Sequence, residues 1–498
     1  MISKNNLFCC SNANDQKKDH EHIFVKSTIS LCNKCESMVF TKVLLKNNKV
    51  YFKKICPDCG ETMNIVSSDA EYYLGSYRFN KPGTIPLHFN KESTKMGCPN
   101  DCGICEKHEQ HTCLPVIEIT DHCNLRCPIC LVDCKGSYSY SREDFKMVLD
   151  NLIKCEGHLP IITLAGGEPT IHPLMFDFVK MAIDSGKVDR VGINTNGLVI
   201  ADDPQFVEKI IENKNNVYVL MQFDGWKSNS YTKMRGKNLL DKKLRAFDIL
   251  EKNNIPATII ATFAQGINDD QIGEIITFGL NKSNVLGFTL QPMAYVGAGG
   301  GHFEVDPMNL LTLSCVINKL EEQTSGLIKR SDFIPIPCSH PNCFSLSYLL
   351  KHKDGTATPF ARFIELQKIM DIVKNKALVS VDDPELEKEF NRLSYSLWSG
   401  EAHAPDSEKV MGTIKDLLGK LFPSDKYVPR PEKIKIGDFS VKTVFVHGFM
   451  DKYTYDLERV QKCCNQYPQV DRLMPICNYN NFYRKNGGKL LDKIQVKI

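Results

Sequence analysis

The sequence predicts an α/β chain built on a partial (β/α)6 barrel, with a cysteine-knuckle module before it and a cysteine-bearing extension after it. Three observations predict this. Six apolar, strand-like runs alternate with helical patterns between residues 115 and 300. Polar residues cluster where those runs end. The chain's 21 cysteines gather mostly in four groups.

The runs are VIEIT (116–120), PIITLAGG (160–167), VGINTNG (191–197), VYVLMQFDG (217–225), ATIIATFA (257–264) and GFTLQPMA (287–294). Between them, segments such as REDFKMVLDNLIKCEG and FDFVKMAIDSGK carry apolar residues at helical spacing. Apolar strands joined by helical crossovers imply a parallel sheet buried on both faces. In such barrels the loops after the strands carry the chemistry. Gly166, Gly167, Glu168 and Pro169 end the second run. Asn194, Thr195 and Asn196 end the third, Gln222 and Asp224 the fourth, and Gln291 lies in the sixth. The two glycines would let the backbone approach a ligand closely.

Composition narrows the class. Over 498 residues, 42% apolar and 24% charged residues suit a soluble globular protein. Lys+Arg of 62 against Asp+Glu of 59 leaves no electrostatic footprint for nucleic acid. No run reaches the ~18 apolar residues of a membrane helix. The start, MISKNNLFCCSNANDQKKDHEH, lacks the apolar core of a secretory signal, so residues 1–29, Cys9 and Cys10 included, read as a polar tail of a cytoplasmic protein. In a long, unsecreted chain clustered cysteines point to metal rather than disulfides.

Cys32-x2-Cys35 and Cys56-x2-Cys59 flank a hairpin expected to turn at Asn47–Asn48. Two such knuckles make a four-thiolate site for zinc or a rubredoxin-type iron. Cys98, Cys102, Cys105 and Cys113 are spaced to wrap a cubane cluster, with His108 and His111 beside it rather than in it. Cys123-x3-Cys127-x2-Cys130 follows the first strand directly. Three thiolates leave one iron of a cubane without a protein ligand, open to a substrate. Cys134 is close enough to be a fourth. Cys338 and Cys343, with Cys463, Cys464 and Cys477 far downstream, could close a further cluster, one of the adjacent pair being a ligand. Cys155 and Cys315 sit in helical patterns and read as core. The run GAGGG (297–301) reads as a flexible linker, and His447 and Asp451–Tyr453 are further candidates.

The Cys-x3-Cys-x2-Cys loop on a first strand, with GGEP one strand later, resembles the radical S-adenosylmethionine (radical SAM) superfamily over about residues 115–300. The resemblance implies that Cys123, Cys127 and Cys130 hold a catalytic [4Fe–4S] cluster whose open iron binds SAM. It places Gly166, Gly167, Glu168 and Pro169 at the methionine end and Asn194, Asn196, Asp224 and Gln291 along the adenosine and substrate side. Arg235, in YTKMRG (231–236), is a candidate partner for the SAM carboxylate, with a helix-capping or salt-bridge role as the alternative. The chemistry implied is a 5′-deoxyadenosyl radical that abstracts hydrogen from an unactivated carbon.

The block GCPNDCGIC…HEQHTCLPVIEITDHCNLRCPIC, the N-terminal knuckles and the tail CC…PICNYN resemble archaeal tetraether lipid synthases and their bacterial relatives. That family implies one mononuclear iron or zinc and two auxiliary [4Fe–4S] clusters. It divides the chain into a tail (1–29), a knuckle (30–68), an auxiliary module (69–114), a radical core (115–300) and a C-terminal auxiliary and substrate region (301–498). The leading expectation is coupling of sp³ carbons of lipid chains; the one-sided apolar segments MNLLTLSCVINKL and TIKDLLGKLF fit it, although either helix taken singly reads better as ordinary core packing. The alternative within the family is C-methylation of a pterin precursor. A multi-cluster electron carrier is the non-enzyme alternative, although it needs neither GGEP nor a six-unit barrel. The expected partners are an apolar or lipid substrate, an electron donor such as ferredoxin or flavodoxin, and peripheral contact with a membrane.

Overall fold

Period-two alternation in the strands decides the architecture. The computed structural model describes residues 21–89, 94–375, 384–399, 406–484 and 496–497; Cys9 and Cys10 lie outside the described residues. Ile23–Leu31 (β1), Met38–Lys46 (β2), Lys49–Cys56 (β3) and Gly60–Ser67 (β4) form an antiparallel meander. Asn47 and Asn48 have φ of 50° and 55°, the left-handed pair a two-residue hairpin requires, so the expected turn is present.

The six runs become Leu114–Thr120 (β5), Ile162–Gly166 (β6), Val191–Thr195 (β7), Val217–Gln222 (β8), Ala257–Phe263 (β9) and Val285–Pro292 (β10). Each is parallel to the next, in sequence order. The C-terminal region joins the same sheet. It adds Phe344–Lys351 (β11), Ala357–Pro359 (β12), Val441–His447 (β13), Asn465–Pro468 (β14) and Leu473–Pro475 (β15). β13 pairs parallel with β10 and β14 parallel with β5, so the sheet grows at both edges to 11 strands. Among the described residues no ladder joins the two edges to each other.

Outward strand residues such as Ile117, Ile119, Ile162, Leu164, Val219 and Ile259 share one core with the crossover helices Arg142–Glu156, Met175–Asp184 and Leu240–Lys252. Ser141 and Asp144 cap the first of these helices reciprocally, and Gly157 ends it at φ 75°. The inward face corrects the expectation of strands apolar on both sides. Thr163, Tyr218, Thr258, Thr289 and Thr443 point into the lumen, between outward Ile, Val and Phe neighbours.

The apolar C-terminal segments are helices at Leu313–Gln323 and Ser407–Leu421. Val316, Ile317 and Leu320 pack into the main core, and Val410, Ile414, Leu417 and Leu421 into a second one with β11. Their apolar faces are thus spent on core packing. Among the described residues no helix is long and apolar enough to cross a membrane.

Candidate active site

β5 ends at Thr120 and the cysteine loop follows. Asp121 pins its far end, accepting from the backbone N–H of Ser137 at 2.9 Å and of Tyr138 at 2.8 Å. Cys123, Cys127 and Cys130 line the mouth of a cavity of about 690 Å³ that runs into the lumen. Cys134 lines it too, its thiol 3.9 Å from that of Cys130 and in contact with that of Cys123. Four thiols therefore crowd the mouth.

The end of β6 crosses this loop at close range. Gly167 N–H donates to Thr120 O at 2.7 Å and Glu168 N–H to His122 O at 2.8 Å. A Cβ at Gly166 would stand 2.1 Å from Thr120 O, and one at Gly167 2.0 Å from His122 O. The two glycines face the cavity, and their missing side chains also admit the cysteine loop. Buried Glu168 accepts from Thr170 Oγ1 at 2.6 Å, Thr195 Oγ1 at 2.7 Å and Asn196 N–H at 2.7 Å. Burial raises its pKa against these bonds. Pro169 opens the turn Pro169–Ile171 and, contrary to expectation, does not line the cavity.

Asn194, Asn196 and Gln291 line the cavity as expected. Asn194 Oδ1 is buried without a partner, an acceptor left for a ligand. Asp224 does not line it. It is fully buried behind Arg235, whose Nε and Nη2 reach its two oxygens at 2.8 and 2.9 Å. This pairing overturns the ligand role expected of Asp224 and fixes the Arg235 guanidinium on the cavity wall, against the Cys127 thiol.

Three features escaped the sequence reading. Lys243, fully buried, donates to Asn196 O at 2.6 Å; burial, with Arg235 adding to it, brings its pKa down to about 8. Glu118 faces the lumen and takes a two-point hydrogen bond from Arg484 at 2.7 and 3.0 Å. The GAGGG run is not a linker. Ala298 N–H donates to Cys130 O at 2.9 Å, and a Cβ at Gly297 would meet that oxygen at 2.6 Å, so the run clamps the cysteine loop from above. Only the glycine content pointed to such a close approach.

The remaining thiols regroup. Cys98, Cys102 and Cys105 line one small recess, and Cys98 and Cys477 belong to one packed cluster. Cys113 leaves that set, contrary to its spacing. Its thiol touches those of Cys338 and Cys464, in a cluster with Cys343. The cause is strand pairing: β14 brings Asn465 opposite Leu114, so Cys464 meets Cys113. Of the adjacent pair, Cys464 joins the set, while the Cys463 thiol donates to Asn465 O at 3.1 Å.

Each set receives N–H donors at sulfur. Asn478 Nδ2 reaches Cys102 Sγ at 3.0 Å, Gln110 Nε2 reaches Cys338 Sγ at 2.9 Å, and Arg459 Nε reaches Cys343 Sγ at 3.1 Å. Donors of this kind suit thiolates that carry a cluster and tune its potential. His108 stands aside, its Nε2 on Cys463 O at 2.8 Å, and His111 pairs with Glu156. Cys155 and Cys315 sit in or against the main core. The regrouping predicts that Cys113→Ala and Cys343→Ala lose the same low-temperature EPR component of the reduced protein, and Cys105→Ala another. If Cys113→Ala and Cys105→Ala lost the same component, the regrouping would be wrong.

In the knuckle, Cys32, Cys35, Cys56 and Cys59 bring their sulfurs within 4.8 Å of one another. The Cys35 and Cys56 sulfurs are 3.8 Å apart. Tetrahedral thiolates at ~2.3 Å from a zinc ion stand about 3.8 Å apart.

Comparison with known proteins places these features. Residues 117–279 match the radical SAM superfamily, and residues 24–68 match the HMPTM N-terminal zinc ribbon domain. A radical SAM domain uses a [4Fe–4S] cluster and SAM. The thiols of Cys123, Cys127 and Cys130 at the mouth, with Cys134 beside them, and the unpartnered Asn194 oxygen fit that pair, and the four-sulfur knuckle fits one mononuclear ion. Over 495 residues the chain is 31% identical to 7,8-dihydro-6-hydroxymethylpterin dimethyltransferase of Methanocaldococcus jannaschii, covering 92% of this chain and 94% of that protein. A GTP 3',8-cyclase of Clostridium acetobutylicum is 24% identical over 256 residues, 50% of this chain and 73% of its own. Among solved structures, SuiB of Streptococcus suis is similar over 44% of this chain and 47% of its own, at 17% identity and a TM-score of 0.37. A likeness of 31% identity running through the ribbon, the barrel and the C-terminal strands makes this chain a radical SAM enzyme, and it belongs to the family of the pterin dimethyltransferase.

Proposed function

We propose that the protein is a radical SAM C-methyltransferase that acts on a reduced pterin precursor. The observation that carries this reading is the likeness through 92% of the chain to a protein named for that substrate. The cavity wall supports it. Glu118, Asn194, Gln222, Thr258 and Gln291 offer hydrogen bonds along the lumen, which suits a polar heterocycle better than two lipid chains.

In this reading the thiolates of Cys123, Cys127 and Cys130 hold the catalytic cluster. Arg235, steered by Asp224, meets the carboxylate of SAM beside Cys127. Glu168 and the backbone at Gly166 and Gly167 border its amino group, and Asn194, Asn196 and Gln291 its adenosine. When bound, the cluster and SAM would supply radical chemistry at an unactivated carbon, the methyl carbon coming from SAM or a folate-type donor. The lumen orients the pterin and keeps water out. The sets Cys98, Cys102, Cys105, Cys477 and Cys113, Cys338, Cys343, Cys464 hold auxiliary clusters, and Cys32, Cys35, Cys56 and Cys59 hold the single ion. Electrons come from a carrier such as ferredoxin or flavodoxin.

The test is anaerobic incubation of the reconstituted protein with SAM, a reductant and 7,8-dihydro-6-hydroxymethylpterin. A pterin product heavier by one or two methyl groups is expected by mass spectrometry. Formation of 5′-deoxyadenosine with no methylated pterin, in the presence of a folate-type carbon donor as well, would overturn the reading.

A further inference from the structure

His447 ends β13 on the inward face, in step with Thr443 and Phe445, and lines the cavity. It is 6% exposed. Phe344 and Phe449 hold its ring from two sides, with centroids at 4.1 and 4.0 Å. Among the described residues neither ring nitrogen has a hydrogen-bond partner. Neither nitrogen is among the fully occluded unpartnered atoms. A neutral imidazole carries one donor and one acceptor. Leaving such groups unmade in a protein interior is unfavourable, and a leucine or phenylalanine would fill the same slot without that penalty. The histidine therefore serves something that enters the cavity.

Its surroundings keep it neutral. Burial, with Arg459 adding to it, holds its pKa down at about 3. The two phenyl rings set its plane. Behind Phe344 lie Cys113, Cys338, Cys343 and Cys464; behind Phe449 lie Cys477 and Cys102. His447 thus meets the cavity and, through these two rings, the packing of both auxiliary sets. A second polar group without a partner, Asn465 Oδ1, lines the same cavity from the other edge of the sheet.

We propose that His447 is a substrate-binding residue, a neutral imidazole that hydrogen-bonds the nitrogen-bearing edge of a heteroaromatic substrate and turns its reacting carbon toward the Cys123–Cys130 mouth. The identity of that ring rests on the pterin reading above. One hydrogen bond of this kind is worth about tenfold in affinity.

The experiment compares wild type, His447→Phe and His447→Asn as anaerobically reconstituted holoenzymes loaded with SAM. It measures the affinity for 7,8-dihydro-6-hydroxymethylpterin, the KM and kcat of its methylation, and the EPR spectra of the clusters. His447→Phe is expected to weaken pterin binding and raise KM about tenfold with cluster spectra unchanged, and His447→Asn to recover part of the loss. Wild-type affinity and KM in His447→Phe would overturn the assignment and leave the pterin reading standing. A loss of cluster signals in proportion to the loss of binding would also overturn it, as the mark of a structural role. A wild-type holoenzyme that binds no pterin would overturn the functional reading, and the assignment with it.

Discussion

Arg235→Met is expected to lower stability by about 3–5 kcal/mol and to abolish formation of 5′-deoxyadenosine. Asp224 is fully buried and Arg235 nearly so. The carboxylate takes two guanidinium bonds and the Thr262 N–H, at 3.1 Å. Without the guanidinium it is a buried charge with one neutral donor left. The cost arises from that stranded charge more than from the lost attraction, so Asp224→Leu combined with Arg235→Met should regain much of the stability. It should not regain activity, because the cation beside Cys127 is gone. Thermal unfolding at matched iron content, paired with product analysis, checks both parts. Unfolding of the single variant at the wild-type temperature would contradict the first, and restored turnover in the double variant the second.

Gly167→Ala should cost about 3–5 kcal/mol and loosen the cysteine loop. The new methyl would press on backbone, His122 O at 2.0 Å and His122 C at 2.6 Å, which no side-chain rotation relieves. Overpacking of this kind costs ~1–3 kcal/mol. The hydrogen bonds from Gly167 to Thr120 and from Glu168 to His122 would weaken with it, at about 1 kcal/mol each. Gly301→Ala is the matched control, since a Cβ there has nothing within 4 Å. The expected readout is a lower unfolding temperature and a smaller fraction of the Cys123–Cys130 cluster after reconstitution in Gly167→Ala, with Gly301→Ala like wild type. Equal behaviour of the two variants would show that the β6 end does not brace the loop.

Much of the site follows from short-range pattern. The Cys-x3-Cys-x2-Cys loop, the Cys-x2-Cys knuckles and the Asn47–Asn48 turn all lie within a few residues, where chain geometry leaves few alternatives. The parallel order of β5 to β10 follows from alternating strands and helices. The polar lumen was also written in the strands, as Thr163, Thr258 and Thr289 between outward apolar neighbours. A count of apolar residues hides it, because tyrosine and threonine favour strands as readily as valine does.

Spacing misled where a partner comes from another element of the fold. Cys113 follows Cys105 closely, yet β14 draws it to Cys464. Asp224 ends a strand as ligand residues do, yet Arg235 claims it from the following helix. His447 is one histidine among 13 in the sequence; two phenyl rings and an open cavity single it out. The sequence by itself determined the strands, the helices and the cysteine loops, because each depends on neighbours along the chain. The tertiary structure alone decided which thiols share a site, which carboxylate is paired and which imidazole is left free. Those outcomes depend on burial and on which elements pack together, and spacing along the chain states neither.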